Sequence, residues 1–132
     1  MASILVVDDE PGIRRLLRLT LGTEHEVEEA ADGEEALRQI SRERPDVILL
    51  DVAMPVMDGL AVCRAVRAQP ELDGLGIIIV SAFAGSEEAL AAGADRHFSK
   101  PYRPLALLET IDELLSRKQL RRATPAIRLL SR

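Results

Sequence analysis

Three unbroken apolar runs organise this chain, and each stops at a polar residue. Ile4-Leu5-Val6-Val7 ends at Asp8-Asp9-Glu10, Val47-Ile48-Leu49-Leu50 at Asp51, and Ile77-Ile78-Ile79-Val80 at Ser81. Runs this short and this apolar predict strands buried on both faces. Two weaker strands join them. One covers His25 to Ala30, with Val27 its only large apolar residue, which places it at an edge; the other is Arg96 to Ser99, ending at Lys100-Pro101.

Helical periodicity fills the intervals. Pro11 suits a first helical position, and Ile13, Leu16, Leu17 and Leu21 follow as an apolar stripe, with Arg14, Arg15 and Arg18 on the other side and Gly22 as the stop. Asp32-Gly33-Glu34-Glu35 reads as a capping box ahead of Ala36, Leu37 and Ile40. Asp58 reads as an N-cap, not a ligand, for a third helix carrying Leu60, Val62, Cys63 and Val66. A loop over Gln69 to Gly76 precedes the third apolar strand. A short helix over Ser86 to Ala92 stops at Gly93, and Pro104 opens a last helix with Leu107, Leu108, Ile111, Leu114 and Leu115 inward. Five strand–helix pairs imply a parallel sheet covered by helices on both faces, since each crossover is right-handed. A barrel needs eight. The expected class is α/β: an open, doubly wound, five-stranded sheet of order 2-1-3-4-5, in three αβα layers.

Composition narrows the picture. The 132 residues predict one domain, and 47% apolar content supports a packed core. Aromatics at 2%, without Trp, speak against stacking platforms for nucleic acid. Cys63 is the single cysteine, which excludes a disulfide framework and a Cys-rich zinc site and suits a reducing cytosol; on its apolar helix face it reads as a small core residue. The apolar runs are too short to span a membrane, and Met1-Ala2 leads straight into a strand with no signal-peptide order, so a cytoplasmic location is expected. Net charge is −5, split unevenly: residues 1–115 carry −11 and residues 116–132 carry +6. An acidic body is a poor nucleic-acid surface. The expected organisation is a domain over residues 1–118 and a basic tail or linker over 119–132. Ser116 to Arg122 extends the last helix and Thr124-Pro125 stops it.

In open α/β sheets the carboxyl ends of the strands carry the ligand site. Here they carry Asp8-Asp9, Asp51, Ser81 and Lys100. Clustered carboxylates repel one another unless a cation joins them, and an all-oxygen donor set favours Mg²⁺. A carboxylate beside Mg²⁺ and a lysine is a nucleophile toward a phosphoryl group. Taken singly, Asp8-Asp9-Glu10 would be solvated capping acids and Ser81 an ordinary strand-end hydroxyl, with no Gly-x-Ser-x-Gly around it. His25 reads as a surface or edge-strand residue, and Met54 and Met57 as loop and core filler.

Together these residues resemble the receiver (response-regulator) domain of bacterial two-component signalling, a flavodoxin-like fold. The matching pieces are Val6-Val7-Asp8-Asp9-Glu10-Pro11, Asp51-Val52-Ala53-Met54-Pro55-Val56-Met57-Asp58-Gly59, Ser81-Ala82, and Gly93-Ala94-Asp95 leading into Lys100-Pro101, over residues 3 to about 118. The resemblance implies a phosphorylation-controlled switch. Asp51 would be the phosphoacceptor. Asp9 would bind Mg²⁺ directly and Asp8 mostly through water, with the Ala53 carbonyl as a further ligand. Ser81 would hydrogen-bond the phosphoryl oxygen, Lys100 would pair with the phosphoryl group, and Lys100-Pro101 would be cis. His97 stands where the family often has a switch Tyr or Phe. The implied partners are a sensor histidine kinase or phosphotransfer protein and an output partner, with a homodimer as a further option. Ala53 and Phe83, two residues beyond Asp51 and Ser81, offer no hydrogen bond to a hydrolytic water, which predicts slow autodephosphorylation. The segment from Ser81 to Lys100 is about three residues short of the family pattern, nearly one helical turn. That predicts a mobile or displaced fourth helix and a departure from the usual dimer through this face.

Two other classes stay open at this point. One is a small Mg²⁺-dependent phosphohydrolase with an Asp nucleophile; that chemistry usually has a second Asp two residues on, where this chain has Ala53. The other is an inactive, receiver-like adaptor, against which the complete set of Asp9, Asp51 and Lys100 argues.

Overall fold

The computed structural model describes residues 2–54, 57–82 and 85–123, with side chains through Arg117. Five strands, β1 (Ser3–Val7), β2 (Glu26–Ala30), β3 (Val47–Asp51), β4 (Gly76–Ser81) and β5 (Arg96–Ser99), alternate with α1 (Pro11–Leu21), α2 (Gly33–Arg42), α3 (Gly59–Arg67), α4 (Ser86–Ala91) and α5 (Pro104–Ala123). All pairings are parallel and the order is β2-β1-β3-β4-β5. The weak strand sits at the edge, as its single large apolar residue requires.

Strand parity sorts the core into two halves. Leu5, Val7, Ile48, Leu50, Ile77 and Ile79 pack with Ala36, Ile40, Val62, Cys63, Val66 and Ala89 from α2, α3 and α4. Ile4, Val6, Leu49, Ile78 and Val80 pack with Leu17, Leu21, Leu107, Ile111 and Leu114 from α1 and α5. Both faces of the central strands are therefore covered, which is why they read as continuous apolar runs instead of alternating ones.

The expected caps form. Asp32 Oδ1 accepts the Glu35 amide at 2.8 Å, while the Glu35 carboxylate accepts the Ala31 amide at 3.1 Å, one residue earlier than a reciprocal box would have it. Asp58 Oδ1 accepts the Ala61 amide at 2.8 Å. Gly93 takes φ +107°, which L side chains rarely adopt, and turns the chain out of α4. A short 3₁₀ turn, Pro70–Leu72, lies within the loop before β4. The boundary placed at residue 118 falls inside α5, whose backbone runs to Ala123; residues 124–132, including the expected stop at Thr124-Pro125, lie outside the described residues.

Three expectations need correction. Leu16 does not join the α1 stripe: it is 58% exposed, because Ile13, Leu17 and Leu21 already fill the stripe facing the sheet. Arg14 is not on the solvent side. It reaches back over β2, donating to the Asp8 carbonyl at 2.7 Å and to Glu29 at 3.2 Å. His25 is not a surface residue; its side chain is buried, and Nδ1 accepts a long 3.4 Å contact from the Ala2 amide.

The fourth helix is even shorter than expected. It spans six residues, its N-cap Gly85 offers no side-chain bond, and Ala89 is its only buried residue. One methyl group anchors little, and a helix of this length barely repays its nucleation. Its amides should exchange with deuterium faster than those of any other helix; protection equal to that of α2 would contradict this.

Candidate functional site

The site forms because four parallel strands stop side by side. Asp51 is the last residue of β3 and pairs in register with Val80, so Ser81 ends β4 one residue further on. Asp8 follows β1 directly, and its amide is held by the Ala30 carbonyl at 3.2 Å. Lys100 follows β5, and its amide donates to the Ser81 carbonyl at 2.8 Å. The Lys100–Pro101 peptide is cis. Among the described residues, Asp8, Asp51 and Ser81 are the buried polar ones. Three buried polar groups at one sheet edge mark a functional site more than a stability device.

The close return of the chain after β3 depends on Gly59. A Cβ there would lie 2.3 Å from the Asp51 carbonyl oxygen, so a side chain would push α3 off the end of β3. The intervening turn is closed by the Met54 amide on the Val52 carbonyl at 2.9 Å and carries Ala53 on its exposed side.

Carboxylate oxygens of Asp8, Asp9 and Asp51 lie within 4.8 Å of one another. Lys100 Nζ donates to Asp51 Oδ1 at 3.1 Å and stands 3.9 Å from Asp8 Oδ2. Burial opposes the Lys100 charge, but the hydrogen bond to Asp51 and the charges of Asp51, Asp8 and Glu10 outweigh it and hold the ammonium above its ordinary pKa. Asp8 is pushed up from the usual carboxylate value, first by burial and then by its like-charged neighbours Asp51 and Asp9. The Glu10 amide, at 2.9 Å, and Lys100 pull the other way without prevailing. The acid cluster is thus undercompensated by one lysine, and its all-oxygen donors fit a small hard divalent cation.

A raised folded-state pKa means that the folded protein holds the Asp8 proton more tightly than the unfolded chain does. The stabilisation from Asp8 is then complete below its unfolded value of about 4 and is lost as pH rises through the raised folded value. In EDTA, Asp8→Asn should therefore raise the urea midpoint at pH 7 and flatten its decline above pH 4. Equal midpoints for variant and wild type would show that Asp8 costs nothing.

Ser81 Oγ is 3.2 Å from His97 Nε2, so the strand-end hydroxyl and the imidazole touch directly. Register explains the contact: His97 pairs with Ile79, and Ile79 and Ser81 project from the same face of β4. Phe83 lies outside the described residues.

Sequence reasoning missed two supports. Arg14 props the Asp8 carbonyl, and its only signal was one arginine among several on an amphipathic helix. Tyr102 lines the small hollow shared with Asp8, Asp51 and Lys100, and burial raises its hydroxyl pKa; nothing in its spacing announced this.

A five-stranded 2-1-3-4-5 sheet with three acids, a hydroxyl and a lysine at its carboxyl edge defines a receiver-type phosphoacceptor domain. The chain belongs to the response regulator receiver domain family, matching it over residues 4–112. It is 43% identical over 128 residues to response regulator MprA of Mycolicibacterium vanbaalenii, covering 92% of this chain and 52% of that protein, and 43% identical over 118 residues to MprA of Mycobacterium leprae. The chain spans about half the length of these relatives. Among solved structures it resembles the Vibrio cholerae chemotaxis protein CheY4, with a TM-score of 0.79 and 40% identity over 86% of this chain and 98% of that one. It also resembles the receiver domain of Francisella response regulator 1452, with a TM-score of 0.83 and 30% identity over 89% and 98%. Like other members of the family, the domain is a phosphorylation-controlled signalling switch.

Proposed function

We propose that Asp51 accepts the phosphoryl group and that a histidine kinase or phosphotransfer protein supplies it. The observation that carries this reading is the 3.1 Å contact between Lys100 Nζ and Asp51 Oδ1 inside the buried carboxylate cluster. Lys100 orients one Asp51 oxygen and leaves the other to attack phosphorus in line. The P–N bond of the donor phosphohistidine breaks, its imidazole leaves, and an acyl phosphate forms on Asp51. Asp8, Asp9, Asp51 and the Ala53 carbonyl are the groups that would hold Mg²⁺. When bound there, the ion offsets negative charge on the phosphoryl oxygens. Lys100 then balances the charge that remains. In this proposal Ser81 donates its hydroxyl to the new phosphoryl oxygen, exchanging its contact with His97 for that bond.

The domain catalyses only its own modification in this reading, since Ala53 stands where an aspartyl phosphohydrolase would carry its second acid. Among the described residues no helix is long and apolar enough to cross a membrane. We place the domain in the cytoplasm, as suits a target of a sensor kinase. Residues 119–132, which begin within α5, are read in this proposal as a basic tail or linker. Incubation with a small phosphodonor and Mg²⁺ tests the reading: one phosphoryl group per chain is expected. Many turnovers would indicate a phosphohydrolase, and none an inactive adaptor.

A further inference from the structure

The second group of metal-ligating side chains lies far from Asp51, at the amino edge of the sheet. Glu24 and His25 end the turn between α1 and β2, and Asp112 faces them from α5; their ligand atoms lie within 4.8 Å of one another. The His25 side chain is only 8% exposed. Its Nε2 is the one buried side-chain nitrogen or oxygen among the described residues without a hydrogen-bond partner. The nearest carboxylate oxygen, Asp112 Oδ1, is 3.8 Å away, beyond hydrogen-bond range. A buried polar atom left without a partner is costly, so it calls for a ligand.

The donor set says which ligand. One imidazole with two carboxylates suits a borderline divalent ion such as Zn²⁺, whereas Mg²⁺ prefers oxygen donors throughout. The carboxylates are free to adjust: Asp112 is 60% exposed and Glu24 is exposed, so closing on an ion costs little. On the far side of the ring, the Ala2 amide approaches Nδ1 at 3.4 Å, a long and weak restraint. Binding through Nε2 leaves the ring proton on Nδ1, so the Ala2 contact is given up on loading. A direct His25–Asp112 hydrogen bond would compete for the same atoms, but it gives Glu24 no part.

We propose that Glu24, His25 and Asp112 form a Zn²⁺-class site, separate from the Mg²⁺ cluster and independent of the phosphoacceptor reading. An ion there would pin α5 to the turn before β2.

The test is a calorimetric titration of the full chain with ZnCl₂ in millimolar MgCl₂, followed by amide and imidazole NMR. Wild type is expected to take up an equivalent of Zn²⁺ that moves the His25 ring nitrogens and the Ala2 amide. Asp112→Asn, at an exposed position that does not threaten the fold, should weaken that equivalent at least tenfold, and Glu24→Gln several-fold. His25→Ala should abolish it. No Zn²⁺ uptake by wild type would overturn the proposal. So would affinity within twofold of wild type in Asp112→Asn, unchanged affinity in Glu24→Gln, or shifts at His97 in place of His25.

Discussion

Asp51→Asn is expected to leave the domain folded and unable to take a phosphoryl group from a small donor. The substitution keeps the shape of a side chain buried at the end of β3 and removes only the oxygen proposed to attack phosphorus. Lys100 retains Asp8 at 3.9 Å as an ionic partner, so the ammonium is not stranded. The expected readout by mass spectrometry is complete loss of the phosphorylated species under conditions that modify most of the wild type. Circular dichroism and the melting temperature should show no loss of structure. Phosphorylation of the variant at the wild-type rate would move the acceptor elsewhere and undo the assignment.

Lys100→Met is the second large effect, and it strikes stability and chemistry together. Removing the ammonium leaves the buried Asp51 and Asp8 carboxylates with like charges and without the lysine that pairs with both of them. Breaking a buried pair in this way costs about 3–5 kcal/mol; Lys100 is 31% exposed, so solvent screening reduces the expected loss to about 1–3 kcal/mol. Urea unfolding in EDTA reads it directly. Mg²⁺ should restore more stability to the variant than to wild type, because a bound cation replaces part of the lost charge. Loss of one charge-stabilising donor should slow phosphorylation by about 10²-fold. A variant as stable as wild type in EDTA would mean that the lysine does not compensate the cluster.

Most of the fold was legible because the covered parallel strands leave a strong mark. Val47 to Leu50 and Ile77 to Val80 are apolar without interruption because helices cover both faces of them, and each run stops where the sheet stops. The site residues were legible for the same reason: Asp8, Asp51 and Ser81 are the first polar residues after unbroken apolar runs, Lys100 follows the last strand, and parallel strands end at one edge. The Asp32 and Asp58 caps were equally plain, since a cap is a contact between residues three apart.

What escaped depends on neighbours distant in the chain. Leu16 carries the same spacing signal as Leu17, yet only packing decides which of the two the sheet has room to bury. Arg14 looks like its neighbour Arg15 until β2 brings Glu29 beside it. His25 gives no sign in its own surroundings of meeting Asp112 on the last helix. Local periodicity, capping and strand ends therefore determined the architecture and the polar carboxyl edge from the sequence alone. The tertiary structure decided the partners of Arg14, His25 and Tyr102, and the contact between Ser81 and His97. Those contacts join residues far apart in the chain, and their geometry exists only once the sheet has brought them together.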